Sequence, residues 1–236
     1  MRVLVSQGSA EAGKRVSLEE QELHHLRVRR PKNDEPVEIL DGAGLVGAGT
    51  LVQVRREWMV DISTAELQQR PPALTLAVAA GDRERFSWMV EKSVELGVTR
   101  IVPLETRRTA GVATRLKDSH IARLRRSSLE SIKQCGASWA PTIEKQVPLA
   151  AFANEPLSGS GWLADQTGAP APASMDQRPA TVIIGPEGGL TEDEVEMAVS
   201  AGYQPLALGP HTLRFETAAL AAAAAITQAR MRGPHG

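Results

Sequence analysis

The sequence predicts two domains, a small β-rich one over residues 1–68 and a larger α/β one over residues 73–236 built on a mostly parallel sheet. Three observations point there. Through residue 67 the apolar residues come in short, Val-rich runs separated by turn residues, the pattern of strands. Residues 68–72 read QQRPP, a polar stretch with two prolines that suits a linker. Beyond it, short apolar runs alternate with longer segments of helical character, the rhythm of strand–helix–strand units.

In the first segment the strands fall at Arg2–Val5, Pro36–Asp41, Val46–Val54 and Trp58–Ser63, with a short helix over Leu18–Arg29 and Ser17 as its N-cap. In the second, Leu74–Ala80 reads as a strand, Arg83–Leu96 as a helix closed by Gly97, Thr99–Leu104 as a strand and Leu116–Gln134 as a helix. Strands follow near Trp162–Ala164 and at Thr181–Ile184, with Gly168–Pro179, rich in Pro and Ala, as an exposed loop. Thr191 and Glu194 have capping-box spacing and open a helix over Glu192–Ala201 that Gly202 closes. Pro205–Leu208 is the last strand and Thr217–Met231 an alanine-rich final helix. Residues 42–47 spell GxGxxG after a strand, but Ala48–Val54 continues as a β-type run where a dinucleotide site needs a helix. A hairpin turn accounts for those glycines.

Composition narrows the function classes. Cys135 is the only cysteine, which excludes an internal disulfide and any multi-cysteine metal site. The longest apolar stretch, Ala218–Ile226, is too short and too alanine-rich to cross a bilayer. The amino terminus lacks the apolar core and cleavage site of a signal peptide, so a cytoplasmic protein is expected, without membrane or metal. The net charge of −1 hides an asymmetry: residues 100–133 carry nine Arg/Lys against three Asp/Glu, and residues 134–236 five against ten. The basic stretch is dominated by Arg100, Arg107, Arg108, Arg115, Arg123, Arg125 and Arg126, whose guanidinium groups suit phosphates and exposed bases, or simply form a solvated face.

Residues 181–217 hold most of the chemistry. The strand Thr181–Ile184 stops at Gly185-Pro186-Glu187-Gly188-Gly189, and the strand Pro205–Leu208 stops at Gly209-Pro210 ahead of Arg214-Phe215-Glu216-Thr217. Two such loops at the ends of neighbouring strands make a pocket for a small cofactor. No Gly-Lys-Ser/Thr of a P-loop is present.

The strings GPEGGLTEDE and LGPHTLRFETAAL resemble the cofactor-binding motifs of the 16S ribosomal RNA (uracil-N3) methyltransferases, members of the trefoil-knot SPOUT superfamily. Glu91–Val98 is similar to that family's K-x-x-E-L-G-V segment, and His24–Arg30 to a stretch of its amino-terminal domain. The resemblance implies a knotted α/β methyltransferase domain over 73–236, a small PUA-like β-barrel over 1–68 that grips RNA, and a homodimer. The alanine-rich helix gives the homodimer weak support, since small side chains allow close packing.

S-adenosylmethionine is the implied cofactor. Its expected contacts are Leu163, Gly185, Pro186, Glu187, Gly188, Gly189, Leu206, Leu208, Gly209, Leu213, Arg214 and Thr217. The implied substrate is 16S ribosomal RNA or the small ribosomal subunit, met by Arg27, Arg29, Arg30, Arg107, Arg108, Arg123 and Arg126.

Methylation at uracil N3 requires loss of the N3 proton and stabilisation of the charge that moves onto the carbonyl oxygens. Glu187 or Glu216 could accept the proton, and Arg214 could stabilise the anion, bind a phosphate, or merely pair with Glu216. Glu187 could equally just sit at the positive end of the next helix. His211 could accept a proton or be solvated.

Two stretches depart from the family pattern. Lys133-Gln134-Cys135-Gly136-Ala137 stands where the family reads Glu-Gln-x-x-Arg, and Ala80-Gly81 where a lysine is common. They leave open another rRNA or a tRNA site as target. A catalytically silent RNA-binding assembly factor is the reading from another class, and two intact loops speak against it.

Overall fold

The computed structural model describes residues 1–55, 57–79, 81–109 and 116–233; Ala80 and Arg115 lie outside them. Two compact units emerge, one of residues 1–71 with 129–140, the other of 72–128 with 141–236.

In the first unit, β1 (Arg2–Leu4), β2 (Arg15–Ser17), α1 (Glu20–Arg29), β3 (Pro36–Leu40), β4 (Leu45–Val54) and β5 (Glu57–Leu67) form a sheet of order β1-β3-β4-β5-β2. β1 runs parallel to β3 and the other pairs are antiparallel. Alternation along the strands turns Val3, Val37, Ile39, Leu51, Val60 and Ile62 into one apolar core, and Leu26 of α1 covers it. The path has two ends, β1 and β2. Ser17 is not the N-cap of α1. It is drawn into the β2–β5 ladder opposite Met59, and Glu19 takes the cap position without a side-chain bond to the helix.

The glycines of residues 42–47 do lie in a hairpin: Gly42 and Gly44 in the turn between Leu40 and Val46, and Gly47 in β4 opposite Ile39. Asp41 holds the turn by accepting the backbone N–H groups of Ala43 (2.7 Å) and Leu45 (3.0 Å). The turn also receives residues 138–140: Gly44 donates to the Ser138 carbonyl, Ala140 donates to that of Gly42, and Ala43 bridges Trp139.

The second unit contains β6 (Leu74–Ala79), α2 (Arg83–Glu95), β7 (Arg100–Glu105), most of α3 (Asp118–Cys135), β8 (Thr142–Ile143), β9 (Val147–Pro148) and α4 (Leu149–Ala153). It continues with β10 (Ser160–Pro170), β11 (Ala180–Ile184), α5 (Glu192–Ser200), β12 (Gln204–Ala207) and α6 (Phe215–Arg232). The strands make a parallel sheet of order β12-β10-β11-β6-β7-β8, with β9 also on β7.

Every residue of β6 is buried, as a central strand covered on both faces requires. Leu74, Leu76 and Val78 pack with Phe86, Met89 and Val90 of α2 and with Phe215, Ala219, Ala222, Ala223 and Ile226 of α6. Ala77 and Ala79 pack on the other side with Leu149, Phe152, Ile183, Ala198 and Tyr203. Ala218, Ala219, Ala222 and Ala223 of α6 therefore serve this unit's own core, while Ala221, Ala224 and Ala225 stay partly exposed.

Four short elements, β2, β8, β9 and α4, escape the sequence reading because two to five residues hold too little pattern to be recognised. β10 extends six residues past the predicted Ala164, since it resumes pairing with β12 at Ala169 and Pro170 after a break. Gly168 lies within that break. A Cβ there would run into the backbone of Pro205 and Leu206, so only glycine lets the two strands close up.

Candidate active site

A cavity of about 340 Å³ opens at the carboxyl ends of β10, β11 and β12, the edge where parallel sheets bind ligands. Three loops build it. The loop after β11 contributes Gly185, Pro186, Glu187 and Gly189, and the loop after β12 contributes Leu208, Gly209, His211, Thr212 and Leu213. The third, Asp165-Gln166-Thr167 at the break in β10, is not among the predicted loops. Its signal is the polar run Asp165–Gly168 directly after an apolar strand. Leu163, Ile184 and Leu206 form apolar walls, with Phe215 and Ala218 from the start of α6.

Local bonds set the shape of each loop. Gly189 turns the chain with φ +73° and donates to the Pro186 carbonyl at 2.8 Å, and Thr191 then caps α5 in the predicted capping box. Glu194 of that box is buried. Besides the Thr191 N–H (2.9 Å) it accepts the backbone N–H of Arg107 (2.8 Å), so the turn after β7 is tied to α5. Arg107 also pairs with Asp193 at 2.7 Å, and Arg108 donates to the Gly188 carbonyl. Asp165 accepts from the N–H and hydroxyl of Thr167, both at 2.7 Å, and Gln166 reaches the Thr212 hydroxyl at 3.1 Å, joining two loops.

Nine of the twelve expected cofactor contacts line this cavity: Leu163, Gly185, Pro186, Glu187, Gly189, Leu206, Leu208, Gly209 and Leu213. Gly188, Arg214 and Thr217 do not. Gly188 instead faces the Arg108 side chain, and Arg214 is the exposed N-cap residue of α6. Thr217 lines a neighbouring hollow.

The three residues expected to act in catalysis separate in character. Glu187 is exposed, with its carboxylate against Gly81 and 4.0 Å from the Arg85 guanidinium. Glu216 is buried and stands 3.8 Å from the same guanidinium, and its Oε2 has no hydrogen-bond partner among the described residues. Among the described residues Arg214 has no ion pair, so the Arg214–Glu216 pairing is replaced by Arg85 facing both carboxylates. Sequence reasoning misses Arg85 because it belongs to a helix more than a hundred residues upstream, and nothing in its local pattern marks it.

The sequence pattern of the RNA methyltransferase domain matches residues 68–227. The chain belongs to the RNA methyltransferase family. Among its relatives is the ribosomal RNA small subunit methyltransferase E of Synechocystis, 31% identical over 224 residues, covering 89% of this chain and 72% of the relative. The corresponding Neisseria gonorrhoeae enzyme, solved bound to S-adenosyl methionine, is 26% identical with a TM-score of 0.83, and 95% of each chain is covered. A Legionella pneumophila protein solved with the bound cofactor SAM is 25% identical with a TM-score of 0.80, covering 94% of each. No helix among the described residues is long and apolar enough to cross a membrane.

In this RNA methyltransferase the arginines expected on the nucleic acid divide. Arg107 and Arg108 are engaged with α5 and the Gly188 loop as described above. Arg100 is held by Glu144 (2.6 Å) and Glu155 (3.3 Å), and the Glu144 hydrogen bond raises its pKa. Arg125 donates to the Ile143 carbonyl. Arg123 and Arg126, one turn apart on α3, are exposed and have no ion pair among the described residues. Desolvation and then the charges of Arg83, Arg123 and Lys117 hold His120 below the usual histidine range. In the first unit Arg27 and Arg30 are exposed, while Arg29 pairs with Glu35 at 2.8 Å.

The unusual Lys133 has a structural account within the first unit. Its ammonium bonds the buried Glu22 and lies 3.3 Å from Glu130 and 3.5 Å from His25. Arg2 supplies a guanidinium close by, donating to the carbonyls of Lys133 (3.1 Å) and Gln134 (2.9 Å) at the end of α3 and packing on Gly136.

Proposed function

We propose that this chain methylates N3 of a uridine in 16S ribosomal RNA with S-adenosylmethionine, acting as a cytoplasmic homodimer on the small ribosomal subunit or its RNA. The observation that carries this reading is the three-loop cavity, with Glu216 on the first turn of α6 beside it, a buried carboxylate whose Oε2 meets no donor among the described residues.

The residues present fit the cofactor. The cavity is within the size range of small-ligand pockets. Leu163, Ile184, Leu206, Leu208 and Leu213 offer apolar faces for an adenine, and Gly185, Gly189 and Gly209 leave the backbone accessible. Asp165 sets a carboxylate at the cavity, which suits a cationic sulfonium. When bound, the cofactor supplies an electrophilic methyl group.

The chain's own residues have the other tasks. A carboxylate must take the N3 proton before that nitrogen has a free lone pair. Glu216 suits the role better than Glu187, because its Oε2 is buried and unclaimed while Glu187 is exposed. Arg214, exposed and without an ion pair among the described residues, is available to a uracil carbonyl or a phosphate.

The reading includes a trefoil-knotted SPOUT domain over 73–236 and a PUA-like RNA-gripping domain over 1–68. Insertion of β11 between β6 and β10, both earlier in the chain, favours the first, and five strands around one apolar core favour the second. The Lys133 substitution, matched by Glu22, gives little reason to prefer a different RNA target.

Calorimetric titration tests the cofactor step. One S-adenosylhomocysteine per chain is expected, with affinity lowered at least tenfold in Gly189→Val, because φ +73° is strained for a β-branched residue. Unchanged affinity in that variant would remove the loop after β11 from the site.

A further inference from the structure

A second, open hollow of about 440 Å³ lies in the same unit, lined by Glu84, Arg85 and Trp88 of α2 and by Glu216 and Thr217 of α6. It neighbours the cofactor cavity through the first turn of α6, since Phe215 and Ala218 line the cavity and Glu216 and Thr217 the hollow. Glu187 lines the cavity and faces Arg85, which lines the hollow.

Packing leaves three features of this hollow unexplained. Trp88 is 49% exposed, although Phe86, Met89 and Val90 on the same helix are fully buried. Glu216 has a side chain only 10% exposed, yet its Oε2 meets no donor among the described residues. The Arg85 guanidinium is 3.8 Å from Glu216 and 4.0 Å from Glu187, beyond hydrogen-bond length, so neither carboxylate uses its donors. An aromatic face, a carboxylate nine-tenths buried and a guanidinium whose donors meet neither carboxylate thus line one open space.

We propose that this hollow is the subsite for the target nucleobase, a uracil turned out of its RNA strand and laid on the Trp88 indole. This rests on the functional reading above. Unstacked bases in RNA are held by stacking on aromatic rings and by hydrogen bonds to their edges. A uracil edge presents an N–H flanked by two carbonyls, which meets the Glu216 acceptor and the Arg85 donors. Cytosine has an acceptor at the same ring nitrogen and would oppose the Glu216 carboxylate with a lone pair. Trp88 and Arg85 are thereby assigned to base binding and to selection of uracil.

The test compares wild type, Trp88→Ala and Trp88→Phe in single-turnover methylation of small-subunit RNA over a range of RNA concentrations. S-adenosylhomocysteine affinity and solution mass are measured on each. Base–aromatic stacking is worth about 1–3 kcal/mol, so Trp88→Ala should raise the half-saturating RNA concentration roughly five- to hundredfold. Trp88→Phe should restore most of the loss, with cofactor affinity and mass unchanged in both. The subsite is overturned if Trp88→Ala saturates like wild type. It is equally overturned if Trp88→Ala halves the solution mass, because the indole would then belong to an interface with a second copy. Loss of cofactor affinity in both variants would assign Trp88 to the fold and also sink the proposal. Wild-type protein that transfers no methyl group to RNA would instead overturn the functional reading, a result visible in the control arm alone.

Discussion

Glu216 stands in the first turn of α6, where the positive end of the helix favours a carboxylate. That benefit does not explain why Oε2 is buried without a donor among the described residues, a condition that costs about 1–3 kcal/mol in a folded protein. The proposed role of Glu216 as proton acceptor accounts for both facts. Glu216→Gln keeps the shape and removes the basicity. It should lower the single-turnover rate roughly 10²–10⁴-fold, the usual contribution of a positioned base, and leave S-adenosylhomocysteine affinity within about twofold. A near-normal rate in this variant would pass the role to Glu187. The residues of this site are unequally legible. Gly185–Gly189 and Glu216 stand in strings that resemble a family motif, whereas Arg85 and Trp88 reach the site only through the packing of α2 on α6.

At the scale of elements, the middle and the carboxyl end of α3 differ in character. Arg123 and Arg126 project from its middle without ion pairs among the described residues. Reversing both charges should weaken RNA binding and flatten its dependence on salt, since fewer neutralised phosphates release fewer counterions. Cofactor affinity should not change, and RNA affinity indifferent to both reversals would make this surface merely solvated. At the carboxyl end, Lys133 neutralises the buried Glu22, with side chains 15% and 4% exposed. Lys133→Met strands that carboxylate and should destabilise the protein by about 3–5 kcal/mol in denaturant unfolding. Adding Glu22→Gln should recover most of the loss, and a lack of recovery would show that Lys133 acts by packing rather than by charge.

The same scale shows why some elements are legible. The long strands and helices of the second unit carry pattern enough to be placed within a few residues, and the Thr191–Glu194 capping box is written in the chain. The third cavity loop escapes because β10 breaks and resumes. Its continuation at Ala169 depends on β12, almost forty residues further along the chain, and on Gly168 letting the two backbones meet. Composition assigns Arg107 and Arg108 to RNA because it shows charge and not its partners. Asp193 and the Gly188 carbonyl are those partners, and both are brought near by the sheet.

For the whole molecule, the alternation of elements is enough to announce an α/β sheet, but not the position of β11 between β6 and β10. Strand order depends on long-range pairing, and periodicity carries no record of it. Likewise the segment 129–140 joins the first unit although the Pro-containing linker at 68–72 marks a single boundary. The proposed function is that the second unit holds S-adenosylmethionine at the carboxyl edge of the sheet and methylates one uridine of small-subunit RNA. The most direct measurement is mass mapping of modified nucleotides in 16S ribosomal RNA from cells with and without this protein. The account predicts that one 3-methyluridine disappears when the protein is removed, returns with the wild-type chain, and does not return with Glu216→Gln. A 16S RNA whose modified nucleotides are the same in both cells would contradict it.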